Sequence, residues 1–201
     1  MDQKFLIVAN LKLNPLPKYD FAVPENLEIA IAPQFNDISL IFSGFTRAAQ
    51  DIGESAQKLK DLGVKYCLVG HSYYRNNFGE TNEIAQQKIK QLKSVNIVPI
   101  LCARNLDEIP KQVRDDTYIM YEPERAISSN GQYHPETPEN INKVLDTFPK
   151  NTRFLYGGSV NEENCKLLIV NCKLVSGFVI GHASLDPFTF GQIIDSVSKL
   201  Q

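Results

Sequence analysis

Long apolar runs are absent from the sequence, and none approaches the roughly 20 apolar residues that a membrane-spanning helix needs. The opening segment, MDQKFLIVAN, lacks the basic start and the extended apolar stretch of a secretory signal. Neither sign of charge is in large excess, because the formal net charge is −2 and the pI is about 5.9. We therefore expect a soluble, cytoplasmic protein that has neither a nucleic-acid nor a membrane partner.

Cysteine patterns that bind metal are also missing. Cys67, Cys102, Cys165 and Cys172 show no CxxC spacing and no neighbouring histidine, which argues against a zinc site. Cys67 and Cys102 lie inside apolar runs and are expected to be buried. The chain has no linker, repeat or low-complexity stretch, so residues 1–201 are predicted to form a single domain.

What the sequence does contain is a series of short apolar runs with helical or loop segments between them. Continuous apolar runs are typical of strands that are buried on both faces of a parallel sheet. This alternation predicts βα units throughout, and it fits either a closed barrel or a doubly wound open sheet. The eight strand candidates are Lys4–Ala9, Glu28–Ala32, Phe45–Gln50, Lys65–Gly70, Asn96–Cys102, Thr117–Tyr121, Arg153–Tyr156 and Gly177–Gly181.

Two of the intervening helices carry clear start signals. Thr137-Pro138 and Asp186-Pro187 each combine an N-cap residue with proline at the first helical position, ahead of an apolar stripe. The connection after the first strand is too short for a full helix, since three prolines between residues 13 and 27 leave little room for one. The chain is also short for an eight-fold α/β barrel, which typically has about 250 residues, so such a barrel must be trimmed.

Polar residues at the carboxyl ends of the predicted strands indicate an active site, because parallel α/β barrels have their active sites there. Asn10, Lys12, His71 and Glu122 occupy such positions, together with two glycine-containing turns. Taken singly, each has an ordinary explanation, for example a surface lysine or a structural histidine. Taken together, an amine, an imidazole and a carboxylate are the parts needed for proton transfer beside a carbonyl on a phosphorylated substrate.

Several segments resemble the triosephosphate isomerase family, in the family's order and along nearly the whole chain. YGGSV and the GHS…FGE pair are quite specific to that family. The resemblance implies a (β/α)8 TIM barrel that interconverts dihydroxyacetone phosphate and D-glyceraldehyde 3-phosphate, in glycolysis and gluconeogenesis, without a metal or organic cofactor. The matching segments are ANLKLN (9–14), APQ (32–34), GHSYYRNNFGETNEIAQQK (70–88), YEPERAI (121–127), YGGSVNEEN (156–164) and GFVIGHASLDP (177–187).

The resemblance also implies a role for each of the four polar residues. Glu122 matches the general base that moves a proton between neighbouring substrate carbons. His71 matches the neutral imidazole that polarises the carbonyl, for which this family is the standard example. Lys12 matches the cation that offsets phosphate and enediolate charge, and Asn10 matches the side chain that orients the substrate oxygens.

Phosphate is expected at four further positions that match the family. Ser159, Gly181 and His182 match residues whose backbone N–H groups hold phosphate. Ser128 lies in the segment from Pro123 to Gly131, which matches the lid that closes over the family's site and excludes water.

The sequence departs from the family at several of these positions. A family glutamate beside the catalytic lysine is replaced by Tyr73, whose hydroxyl is still expected to accept a hydrogen bond from Lys12. Arg125 stands at the usual lid tryptophan, and His182 at the second glycine of the phosphate turn. These changes keep two alternatives open, an altered-specificity phosphosugar enzyme and a non-catalytic barrel that binds phosphometabolites.

Deletions shorten the chain relative to the family, above all after the third strand. In the family this loop inserts into the partner subunit, and almost nothing of it remains here between Gln50 and Gly53. The helices after strands one, five and six also look shortened or missing. We therefore expect a monomer, or a dimer built differently from the family's.

Overall fold

Eight parallel strands form the centre of the computed structural model, which describes residues 4–109, 117–123, 126, 134–148 and 152–201. The strands are short and largely apolar and buried, as the sequence predicts, with half-buried or exposed residues near the start of several of them, such as Arg47 and Arg153. The strands are β1 (Phe5–Asn10), β2 (Leu27–Ala32), β3 (Thr46–Ala49), β4 (Tyr66–Val69), β5 (Val98–Ala103), β6 (Tyr118–Tyr121), β7 (Arg153–Tyr156) and β8 (Val175–Ile180).

The strands close into a barrel in sequence order. Each pairs in parallel with its neighbours in the chain, and β1 also pairs with β8, where Leu6 lies opposite Gly177. The closure confirms the predicted (β/α)8 barrel, and the doubly wound open sheet is therefore wrong. All eight strands consequently end on one face of the barrel, which brings their last residues together.

Alternation of side chains along the strands separates two apolar layers. On β1, Leu6 and Val8 point into the barrel, while Phe5 and Ile7 point outward towards the surrounding helices. Thirteen buried residues, from Leu6 to Val179, fill the barrel interior. The larger outer layer packs the strands against the helices and carries most of the buried aliphatic side chains.

Six α-helices surround the strands in the described part of the chain. Thr137 and Asp186 cap α4 and α6 with their side chains, and proline follows each, as predicted. No helix among the described residues has the length and apolarity to cross a membrane. The helices are α1 (Ala56–Asp61), α2 (Ser72–Phe78), α3 (Asn82–Ser94), α4 (Pro138–Leu145), α5 (Cys165–Asn171) and α6 (Pro187–Ser198).

The connections after β1 and β3 are as short as the sequence suggests, whereas parts of those after β5 and β6 lie outside the described residues. Residues 11–26 contain no helix, and only residues 50–55 separate β3 from α1. The connection after β2 is a single 3-10 helix, Phe35–Leu40, and one after β5 spans Leu106–Glu108. The trimmed connections account for a complete barrel in 201 residues.

Candidate active site

Asn10 is the last residue of β1 and continues the inward alternation of Leu6 and Val8. Its side chain therefore lies at the mouth of the barrel, where it is buried. The Nδ2 atom lies 3.3 Å from Nε2 of His71, and the Oδ1 atom accepts a hydrogen bond from the Lys12 backbone N–H at 3.3 Å. Asn10 thus contacts two of the other residues predicted for the site.

Lys12 has a backbone φ of 53°, which is uncommon for a residue with a side chain. This left-handed turn directs the lysine side chain across the barrel mouth. Its Cε atom lies 3.8 Å from the point where a Cβ on Gly181 would stand. The ammonium group forms no ion pair with any residue that the structure describes.

His71 follows β4 and is the N-cap residue of α2. Its Nδ1 atom accepts a hydrogen bond from the backbone N–H of Tyr73 at 3.2 Å, so the proton of the neutral ring resides on Nε2. Burial lowers the pKa of His71, and the positive charge of Lys12 lowers it further, although Glu122 acts in the opposite direction. The ring is therefore neutral near pH 7 and directs an N–H into the cavity.

Glu122 follows β6 and continues the inward alternation of Tyr118 and Met120. Its side chain is buried, and its backbone N–H donates to the carbonyl of Ala103 at 3.0 Å. The Oε1 atom lies 3.4 Å from Nε2 of His71. A carboxylate that can accept a proton and an imidazole N–H that can donate a hydrogen bond therefore face the same small space.

The turn after β7 is held in a defined conformation by side-chain hydrogen bonds. Ser159 has a positive φ of 50°; its carbonyl accepts from Nδ2 of Asn164 at 2.8 Å, and its hydroxyl donates to the carbonyl of Ala126 at 2.6 Å. Gly158 is required here, because a Cβ would lie 2.6 Å from the Tyr156 hydroxyl. The Ser159 N–H has no acceptor among the described residues, which suits an anion site.

These residues line one cavity at the carboxyl ends of the strands. The structure brings together every predicted site residue that it describes, whereas Ser128 lies outside the described residues, as does most of the expected lid. Sequence reasoning missed the apolar walls, although Met120 and Val179 share the inward alternation of their strands. The lining comprises Asn10, Lys12, His71, Met120, Glu122, Gly157, Ser159, Val160, Val179, Gly181 and His182.

The expected hydrogen bond from Lys12 to the Tyr73 hydroxyl is not present, although the structure describes both residues. The Tyr73 ring instead packs against Tyr74 at 5.4 Å and Phe78 at 5.8 Å, because α2 presents all three aromatic rings on one side. The replacement at Tyr73 therefore forms part of an aromatic cluster and leaves Lys12 without that partner.

No cluster of three potential metal ligands occurs among the described residues. The cavity instead combines one lysine, one neutral imidazole and one carboxylate with backbone N–H groups at strand ends. Such a set can bind a phosphorylated carbonyl compound and transfer a proton next to the carbonyl.

Comparisons with known proteins agree with this chemistry. The family model described as "Triosephosphate isomerase" matches residues 6–197. The chain is 32% identical over 239 aligned positions to the triosephosphate isomerase of Mesomycoplasma hyopneumoniae strain 232, covering 95% of this chain and 98% of that protein. It is 32% identical to that of Aquifex aeolicus, with 95% and 98% covered, and 30% identical to that of Neurospora crassa, with 93% and 96% covered.

Proposed function

The chain belongs to the triosephosphate isomerase family, and we propose that it interconverts dihydroxyacetone phosphate and D-glyceraldehyde 3-phosphate, in glycolysis and gluconeogenesis. One observation carries the proposal. The Glu122 carboxylate and the N–H-bearing nitrogen of a neutral His71 lie 3.4 Å apart in a cavity that also contains Lys12. That pairing serves an isomerisation, because the base and the electrophile act on adjacent substrate atoms.

In the proposed mechanism, Glu122 takes a proton from carbon 1 of the ketone. The electrons of the broken C–H bond form the carbon–carbon double bond of an enediolate, and the carbonyl oxygen gains negative charge. His71 stabilises that charge by donating its Nε2–H, while Asn10 orients the two substrate oxygens. The hydroxyl proton on oxygen 1 then passes to oxygen 2 by way of Nε2 of His71, and Glu122 returns its own proton to carbon 2, which gives the aldehyde and regenerates the carboxylate.

The proposed phosphate site lies beside these groups. Lys12 offers a charge that is not neutralised by any described carboxylate, and the backbone N–H of Ser159, which has no acceptor among the described residues, can donate to an anion. Gly181 and His182 line the same cavity at the end of β8. We assign Ser128 to the phosphate as well, on the family resemblance alone.

A coupled assay on the purified chain tests the proposed function. We expect turnover of both triose phosphates and none of unphosphorylated dihydroxyacetone, because the phosphate contacts hold the substrate against Glu122 and His71. Turnover of a larger phosphosugar in place of the trioses would favour the altered-specificity alternative. Binding of triose phosphate without turnover would favour the non-catalytic one.

Phosphoglycolate is expected to raise the melting temperature, because its phosphate fits the proposed anion site and its carboxylate resembles the enediolate. At a hundred times its Kd, a ligand stabilises by about 2.7 kcal/mol, which for a chain of this size is roughly 5–10 °C. A thermal-shift titration measures the effect, with glycolate at equal ionic strength as the control. Equal shifts with both ligands would contradict the phosphate site.

We also propose that the chain is a monomer, or a dimer built differently from the family's. The connection between β3 and α1 is limited to residues 50–55, and a loop of this length cannot reach far from the barrel and return. Light scattering over a concentration series separates the two states, and for the monomer it should give a mass near 22.6 kDa with constant activity per chain. A tight dimer centred on residues 50–55 would overturn this prediction.

A cytoplasmic location completes the proposal. All four cysteines are buried and free, which agrees with a reducing compartment. Fractionation of the source cells, with detection of the chain by a specific antibody, tests the location.

A further inference from the structure

We propose that Gln50 and Asp51, the two residues after β3, are positioning residues for catalysis. From within the same chain, Gln50 holds the backbone of Lys12, and Asp51 holds the backbone before His71. This inference rests on the proposed function, because it concerns two residues of the isomerase site. Neither residue lines the cavity around Glu122, and Gln50 lines an adjoining cavity together with Asn10, Lys12 and His71.

Gln50 acts on the Lys12 turn through both hydrogens of its side-chain amide. Its Nε2 atom donates to the Lys12 carbonyl at 2.7 Å and to the Ala32 carbonyl at 3.0 Å. The Lys12 N–H is held on the other side by Asn10. Gln50 therefore fastens the Lys12 turn to the end of β2, which is part of the barrel.

Such an anchor is needed because the Lys12 backbone adopts a conformation that L-residues rarely occupy. The left-handed turn is what carries the lysine side chain over Gly181. If the Lys12 peptide relaxed to an ordinary conformation, its side chain would leave the barrel mouth. The hydrogen bond from Gln50 opposes that change by fixing the direction of the Lys12 carbonyl.

Asp51 reaches the His71 backbone through two intervening side chains. The Oδ1 atom of Asp51 accepts from Nζ of Lys88 at 2.6 Å, and the same Nζ donates to Oε2 of Glu80 at 3.1 Å. The other oxygen of Glu80 accepts from the backbone N–H of Gly70 at 3.0 Å. Gly70 immediately precedes His71 and has a positive φ of 71°, so this chain of hydrogen bonds ends at the peptide that directs the imidazole.

The ionic part of this chain is shielded from water. The Asp51, Lys88 and Glu80 side chains are 14%, 17% and 2% exposed. Burial on its own would lower the pKa of Lys88, but its hydrogen bonds and opposite charges to Asp51 and Glu80 raise it overall. Lys88 is therefore charged and bound to both carboxylates, and loss of Asp51 would leave a buried ammonium with a single partner.

Through these two contacts, the short connection after β3 holds both the Lys12 loop and the His71 loop. Gln50 bonds directly to the loop after β1, and Asp51 is connected through Lys88 of α3 and Glu80 to the loop after β4. Lys12 and His71 are thus held relative to each other by a segment that is itself fixed to β3. No second chain is required for this arrangement, which agrees with the proposed monomer.

The first arm of the test is Gln50→Met, which keeps an unbranched side chain and removes both donors. We expect kcat to fall roughly ten- to hundredfold, as misplacement of a catalytic group by about 1 Å does, with a smaller change in KM. In a Lys12→Met background the same substitution should cause little further loss, since Gln50 acts through Lys12. Gln91→Met, at an exposed position of α3, is the matched control.

The second arm is Asp51→Ala, which removes the acceptor for Lys88. We expect a fall in kcat of similar size. The fall should be absent in a His71→Gln background. Asp51→Asn, which keeps an acceptor oxygen, should recover part of the kcat. Asp20→Ala, at an exposed position, is the matched control. If Asp51→Ala unfolds at the assay temperature, the Gln50 arm decides, because Gln50→Met breaks no ion pair.

A third readout does not depend on turnover. In ¹⁵N NMR spectra, His71 of the wild type should show only the Nε2–H tautomer, and Asp51→Ala should show both tautomers because the Tyr73 contact loosens. If the wild type shows no turnover, the proposed function is wrong. The His71 spectrum then tests by itself whether Asp51 holds the backbone before His71. The positioning role would be overturned by full kcat in both single variants, or by losses that add to those of the Lys12 and His71 variants. An unchanged His71 spectrum in Asp51→Ala would overturn it as well.

Discussion

Glu122→Gln is expected to abolish most of the turnover, lowering kcat by about 10²–10⁴-fold, the usual contribution of a positioned general base. The amide keeps the shape of the side chain but cannot take a proton from carbon. KM should change far less, because the proposed phosphate contacts at Lys12 and Ser159 remain. Steady-state kinetics in both directions measure the effect, with Glu139→Gln on the exposed face of α4 as the matched control.

The position of the carboxylate is tested separately by Glu122→Asp. This substitution retracts the carboxylate by one methylene group, and a misplacement of about 1 Å can cost about a hundredfold in rate. The aspartate variant should therefore be impaired, yet more active than the glutamine variant. Wild-type kcat in either variant would show that Glu122 is not the base.

His71→Gln is expected to lower kcat by about 10²–10³-fold, which is the usual loss when one donor to a developing oxyanion is removed. Glutamine keeps a polar end, but its amide is not fixed by the Tyr73 N–H as the imidazole is. His134→Gln is the matched control, because that side chain is exposed and only the backbone of His134 contacts the site. Comparable losses in the two variants would contradict the role of His71.

The same residue gives a pH dependence of stability. The pKa of His71 is lowered from its ordinary value of 6.5 by burial and by Lys12, against the opposing charge of Glu122. As the pH falls through about 6.5, the unfolded chain binds a proton that the folded chain excludes, so folding becomes less favourable. The melting temperature of His71→Gln should therefore fall less between pH 7 and pH 5 than that of the wild type.

The elements with strong local signals were predictable from the sequence. The caps at Thr137 and Asp186 mark the starts of α4 and α6, because an oxygen-bearing side chain followed by proline satisfies the first turn of a helix. The strand-end positions of Asn10, His71 and Glu122 were predictable for a similar reason. In a parallel barrel, polar residues that directly follow the strands lie at the carboxyl-terminal mouth of the barrel, where active sites form.

Features that depend on tertiary contacts were not predictable in this way. Helix α5 has no comparable start signal in the sequence, since its N-cap residue Asn164 makes no side-chain capping bond and the helix has only seven residues. The anchoring roles of Gln50 and Asp51 depend on partners up to 38 residues away. The expected bond between Lys12 and Tyr73 failed for the same reason, because packing of Tyr73 with its aromatic neighbours directs its side chain elsewhere.

Proton transfer at carbon is the central claim, and ¹H NMR of the reaction in D₂O tests it most directly. After many turnovers, one deuteron should enter carbon 1 of dihydroxyacetone phosphate and carbon 2 of D-glyceraldehyde 3-phosphate, because the proton held by Glu122 exchanges with solvent. Incorporation by Glu122→Gln should be slower by the same factor as its kcat. Product without deuterium after many turnovers, or wild-type incorporation by Glu122→Gln, would contradict isomerisation through an enediolate with Glu122 as the base.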